Sequence, residues 1–127
     1  MNTVLYVAAG GAIGASLRHL LSAAFLRLGG TGFSYGTFTA NVLGSFAMGI
    51  LVGWLALRVS GGEAARLFLG VGLLGGFTTF SAFSLEAVLM LEKKAYGAFA
   101  AYAAGSVVLS LIALIAGLIL ARKIFAI

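Results

Sequence analysis

Gly75-Gly76-Phe77-Thr78-Thr79-Phe80-Ser81-Ala82-Phe83-Ser84 lies inside an otherwise apolar segment, and an acid, Glu86, follows two residues later. Hydroxyl side chains at Thr78, Thr79, Ser81 and Ser84, together with a glycine pair, do not suit contact with acyl chains. Polar groups at membrane depth are tolerated where they face protein or a water-filled path. The stretch therefore reads as the interior of a membrane helix bundle and as the seat of function.

The rest of the chain supports that reading. Of 127 residues, 62% are hydrophobic and 9% charged, against roughly 25% charged in a soluble domain. A soluble chain of this size cannot hide so much apolar side chain. Four apolar segments run from about Thr3 to Phe25, Gly36 to Leu57, Arg66 to Leu91 and Tyr96 to Ala121. Each meets the roughly 20 residues that a transmembrane helix needs. The connectors are short: Leu28–Tyr35, Ser60-Gly61-Gly62 before Glu63, and Glu92-Lys93-Lys94. The expected fold is an all-α membrane protein with one four-helix transmembrane domain over residues 1–127. A membrane barrel is excluded because short strands of alternating polarity are missing. The first segment lacks a basic leader and reads as a retained span, not a signal peptide.

Cysteine is absent, which removes disulfides and thiolate chemistry. No basic run is long enough to suggest nucleic acid as a partner. His19, beside Arg18, is read as interfacial and has no acids nearby to make a metal site. No phosphate loop, nucleophile triad or pair of catalytic carboxylates can be assembled, so an enzyme is not expected.

Small residues four apart, at Gly10/Gly14, Gly49/Gly53, Gly72/Gly76 and Ala101/Gly105, suit close helix crossings in lipid. The plainer account is that membrane helices are rich in glycine. The basic residues bear on topology. With the N-terminus placed inside, Arg58, Arg66, Arg122 and Lys123 share its side, and Arg18, Arg27, Lys93 and Lys94 take the other. The positive-inside rule then expresses no preference. Insertion in both orientations follows, and with it an antiparallel homodimer whose two-fold axis lies in the membrane plane.

Three helices carry stripes of neutral polar groups. Thr37 and Asn41 share a face of the second span, and Tyr102, Ser106 and Ser110 share one on the fourth. On the third, Phe77, Phe80 and Phe83 repeat beside Thr78, Ser81 and Ser84. Any one stripe could be structural, since Ser and Thr often bond back to their own helix. Three together favour a polar track. Hydroxyl and amide donors with weakly positive phenyl edges suit a small anion, and rings of acids for a cation filter are missing. Glu86 is the only acid within a span. The Gly75-Gly76 pair before Thr78-Thr79 reads either as a break in the third helix, whose unwound carbonyls could hold a monovalent cation, or as a close helix crossing.

Gly14-Ala15-x-x-Arg18, Gly36-Thr37-x-x-x-Asn41 and Gly75-Gly76-x-Thr78-Thr79-Phe80-Ser81-x-Phe83-Ser84-x-Glu86 resemble the signature set of the Fluc fluoride channels, also called CrcB proteins. The resemblance spans essentially the whole chain, and the third motif is the most specific. It implies an antiparallel dual-topology dimer with two pores, exporting fluoride passively across a bacterial plasma (inner) membrane. It further implies that Phe80 and Phe83 line the pore and that Asn41 donates to the ion. Thr37, Ser81, Ser84, Tyr102, Ser106 and Ser110 would form the polar track, with Glu86 as the pore acid and Arg18 at the vestibule. Carbonyls of Gly75 and Thr78 would hold a structural sodium ion at the dimer centre. Ala82 stands where many members of the family carry threonine, so one hydroxyl is lost. The rival reading is a small dual-topology multidrug transporter, a class that places its essential acid in the first helix, where this chain has none. A second rival, an inert assembly subunit, leaves three donor stripes unexplained.

Overall fold

Four helical spans run up-down-up-down in a computed structural model that describes residues 2–29, 34–57 and 62–125. The first span is α1 (Thr3–Arg27) and the second is α2 (Tyr35–Ala56). The third, Glu63–Glu92, consists of α3 (63–77, wound as a π-helix over Arg66–Leu74) and α4 (Phe80–Glu92), and the fourth is α5 (Tyr96–Phe125). Each of the four is long and apolar enough to cross a membrane. The expected spans agree with these limits to within a few residues. Among the described residues every regular element is helical.

Local chemistry sets the ends. Asn2 caps α1 by accepting the Val4 N–H at 3.1 Å, and Gly29 ends the helix with φ at 84°, the left-handed conformation that glycine adopts without steric cost. The turn after α4 is a Schellman motif. The Lys94 N–H donates to the Leu91 carbonyl at 3.0 Å and the Ala95 N–H to the Met90 carbonyl at 2.9 Å. The left-handed position is held by Lys94 (φ 60°) instead of glycine.

Packing pairs parallel helices. Gly10 of α1 lies against the Phe68 carbonyl, Gly14 against that of Leu73, and a Cβ on Gly76 would come 2.8 Å from the Gly11 carbonyl. The two chains of contact climb together, so α1 and α3 run the same way. In the other pair, Gly49 of α2 lies against the Leu114 carbonyl and Gly117 of α5 against that of Phe46. Removing side chains at these points lets backbones touch, which is how helices associate where lipid offers no hydrophobic drive. Three of the four small-residue pairs thus sit at crossings. The fourth differs, because Gly105 meets only the edge of the Phe38 ring.

The interior is small. Ala87, Met90 and Tyr102 form a buried cluster with Phe38, Phe83, Ala95, Ala98 and Phe99 packed around it. Most other large apolar side chains, such as Leu5, Leu20, Leu111 and Ile115, face outward, as expected where lipid replaces water outside.

One expectation changes and one open reading is narrowed. α1 continues to Arg27, so Arg18 and His19 sit well inside the helix and not at its end. The first span's interface is therefore farther along the chain, and Arg18 drops out of the end count of charges. Arg58, also in that count, lies outside the described residues. Of the two readings of the glycine pair, the close helix crossing holds for Gly76. Gly75 and Gly76 stay helical, Gly76 serving the crossing with α1, while the extended residues are Thr78 (φ −85°, ψ 157°) and Thr79 (φ −154°, ψ 126°).

Candidate functional site: a charge-free cavity

The extended pair is held from across the bundle. The Thr79 N–H donates to Asn41 Oδ1 at 2.7 Å, and Asn41 Nδ2 donates to the Thr79 carbonyl at 3.1 Å. One primary amide thus pairs with both backbone groups of one residue, as a neighbouring strand would. This also fixes which way the amide points, because only its oxygen can receive the N–H. One N–H of Asn41 remains for another acceptor. Thr79 then starts α4 by accepting the Ala82 N–H on its hydroxyl at 3.1 Å, with Ser81 Oγ 3.3 Å from the same oxygen. Thr78 turns inward; its N–H and hydroxyl both donate to the Leu74 carbonyl, at 3.0 and 2.9 Å, and its methyl packs where Gly44 leaves room.

The diversion of the Thr79 N–H to Asn41 has a second effect. That N–H is the donor a continuous helix would offer to the Gly75 carbonyl. The Thr78 carbonyl lies just past the helix end. Both oxygens are consequently released from helical pairing, the condition under which backbone carbonyls ligate a monovalent cation.

Beside this stretch is a cavity of about 350 Å³ between α2, the third span and α5. Its polar lining comes from Asn41, Ser45, Thr78, Thr79, Ser106 and Ser110, and Phe80 and Phe83 add two rings. No acidic or basic side chain contributes. Ser106 is 5% exposed and its hydroxyl has no hydrogen-bond partner. By contrast, Ser16 of α1 donates back to the Ala12 carbonyl at 2.6 Å, the self-satisfaction common for serine in a helix.

A second polar group lies beyond Phe83. The Tyr102 hydroxyl donates to Glu86 Oε1 at 2.8 Å, and the Thr37 and Ser34 side chains are within hydrogen-bond reach of the Tyr102 hydroxyl. Tyr102 is fully buried and Thr37 is 4% exposed. Aromatic rings join the two groups: Phe80 and Phe83 have centroids 5.6 Å apart, and Phe83 and Tyr102 5.3 Å. Both pairs are tilted, a favoured arrangement for aromatic quadrupoles.

Of the residues singled out from sequence, Asn41, Phe80, Phe83, Ser106 and Ser110 come together in the cavity, and Thr37, Glu86 and Tyr102 in the neighbouring cluster. Others lie elsewhere in the single subunit. Ser81 and Gly75 are exposed, Ser84 is half-buried outside the cavity lining, and Arg18 donates from α1 to the Gly76 carbonyl at 3.3 Å. Ser45 and Thr79 line the cavity without having been singled out. The four-residue step from Thr37 to Asn41 continues to Ser45, a signal the stripe as read stops short of. Thr79 stands in the 75–84 motif, but its pairing with Asn41 runs through its backbone, which no side-chain pattern marks.

A family model described as CrcB-like protein, Camphor Resistance (CrcB), matches residues 5–118. The chain belongs to the CrcB family. It is 55% identical over 127 residues to the fluoride-specific ion channel FluC of Caulobacter vibrioides (strain NA1000 / CB15N), covering 99% of this chain and 100% of that relative. A protein of the same name from Phenylobacterium zucineum (strain HLK1) is 58% identical, and one from Hyphomonas neptunium (strain ATCC 15444) 53%, both with the same coverage. Membership of this channel family, with four membrane-spanning helices, makes the chain a multi-pass membrane protein and not an enzyme.

Proposed function

We propose that the protein is a passive, fluoride-selective channel that releases the anion from the cell through a bacterial plasma (inner) membrane. The observation that carries this reading is the cavity between α2, the third span and α5, where neutral donors and two phenyl rings converge without a charged side chain. The names of its relatives indicate which anion. Fluoride is small and tightly hydrated, so a path must replace its water with several close donors. Neutral hydroxyls and an amide do this without the trap that a buried ammonium would set. The phenyl rings of Phe80 and Phe83 add weakly positive edges. The free N–H of Asn41 and the orphaned hydroxyl of Ser106 are donors not committed elsewhere. Thr37, Tyr102 and Glu86 continue the path past Phe83. Fluoride enters cells as its uncharged acid and accumulates as the anion, so a passive leak suffices and no coupling group is needed.

The working form is an antiparallel homodimer with two such pores. The exposed face of the third span supports this: Phe80 is 78% exposed beside Gly75 and Ser81, and a second copy would cover them and bring Ser81 and Ser84 to the path. Arg18, beside Gly76, would stand at the vestibule. The interruption at Thr78–Thr79 is the functional break of the third helix. Carbonyls of Gly75 and Thr78 from both subunits would hold a structural sodium ion, which when bound neutralises their converging dipoles. The multidrug-transporter reading is not favoured, because α1 carries no Asp or Glu.

The test is flux from liposomes containing the purified protein. An imposed fluoride gradient should dissipate electrogenically while chloride is retained. Chloride flux of similar size, or proton-coupled movement of an organic cation, would overturn the reading.

A further inference from the structure

The parallel pairing of α2 with α5 sets a register that extends the polar lining by one residue. Gly49 lies against the Leu114 carbonyl, and one turn later Gly53 faces that of Leu118. One turn earlier on both helices brings Ser45 level with Ser110, the next brings Asn41 level with Ser106, and the next brings Thr37 level with Tyr102. All these pairs are separated by the same number of positions in the chain. The register was set at the glycine end, yet it predicts the far end correctly, where the Thr37 side chain reaches the Tyr102 hydroxyl. Between these limits Asn41, Ser45, Ser106 and Ser110 all line the one cavity. The Ser106 hydroxyl, buried there without a partner, calls for an occupant that hydrogen-bonds, since leaving such a group unsatisfied is costly.

We infer that Ser45 and Ser110 form a paired-hydroxyl station for a small anion, the last level of the path before the seam closes at Gly49 and Leu114. The inference rests on the channel reading above and adds Ser45 to its residues. Each hydroxyl has one proton and a free rotor, so the pair turns both protons toward an anion passing from the Asn41–Ser106 level. Two neutral donors hold it weakly enough to let it go. Where Gly49 and Gly117 bring the backbones together there is no space for an ion, so an anion at this level leaves the seam sideways.

The test is the initial rate of fluoride efflux from liposomes for the wild type, Ser45→Ala, Ser110→Ala and the double variant. Each single substitution should slow efflux roughly five-fold, the effect of one lost hydrogen bond. Because both act at one level, the double variant should be little slower than the slower single one. Ser45→Ala running at the wild-type rate overturns the inference, and so do two losses that multiply in the double variant. If Ser45→Ala does not elute from size exclusion as the wild type does, Ser45→Cys replaces it. Its thiol is a weaker donor, so an intermediate rate is expected and an unchanged rate overturns the station. A wild type that passes no fluoride removes the channel reading as well, which separates the two failures.

Discussion

The seam between α1 and α3 and the seam between α2 and α5 are built from the same device and end differently. Both join parallel helices, and both use glycine to bring backbones into contact. Along the first, glycine brings the backbones together from Gly10 through Gly14 to Gly76, and the gap that opens before it, where Leu5, Tyr6 and Ala9 face Ala64, Ala65, Phe68 and Leu69, is lined almost wholly by apolar side chains. Along the second, glycine occupies one half only, at Gly49, Gly53 and Gly117. In the other half the same face carries Thr37, Asn41 and Ser45 opposite Tyr102, Ser106 and Ser110. There the seam opens into a cavity lined by the Asn41, Ser45, Ser106 and Ser110 side chains. Side chains too large for backbone contact hold the helices apart, and their polarity determines what fills the gap. The two seams differ by a few residues on one helical face.

Four substitutions test that contrast. The largest effect is expected from Gly14→Val in the closed seam, where a Cβ meets the Leu73 carbonyl. Overpacking against backbone that cannot yield should cost about 3 kcal/mol, seen as a large fall in the thermal midpoint of the detergent-solubilised protein. An unchanged midpoint would mean that this seam is looser than described.

In the open seam, Asn41→Asp keeps an acceptor for the Thr79 N–H but turns a second oxygen toward the Thr79 carbonyl. Loss of that hydrogen bond, with repulsion in its place, should lower fluoride flux roughly 30-fold. Wild-type flux would separate the Asn41–Thr79 pairing from conduction. Phe83→Ile preserves an apolar side chain but removes both ring contacts, and a fall in flux of about ten-fold is expected. Equal flux would show that the rings only fill space. The smallest effect belongs to Lys94→Gly, in the turn away from both seams. A left-handed L-residue costs roughly 1–2 kcal/mol, partly offset by the greater freedom of glycine when unfolded. A gain of about 1 kcal/mol in stability, with flux unaltered, is expected; a slower channel would tie this turn to the path.

How far the chain could be read in advance depended on the range of the interaction. The four spans follow from lengths of apolar sequence, and the stripes Thr37/Asn41 and Tyr102/Ser106/Ser110 from the four-residue step of a helix. Those are local properties. Ser45 continues the four-residue step from Thr37 and Asn41, but only the facing helix shows that this level lines the same cavity. Arg18 and His19 read as span-end residues because a polar pair suits an interface, although the apolar run already continues to Phe25 and α1 ends at Arg27.

Composition and spacing alone determined that this protein lies in a membrane as four helices, and which faces carry donors, because burial in lipid constrains each helix independently. Only the tertiary structure decided that the extended residues are Thr78 and Thr79 and not the glycine pair. That choice requires the Asn41 amide on another helix to replace the backbone hydrogen bonds given up there. It likewise decided which stripes meet, because the register between helices is set by contacts remote in sequence, at Gly49 with Leu114 and Gly14 with Leu73.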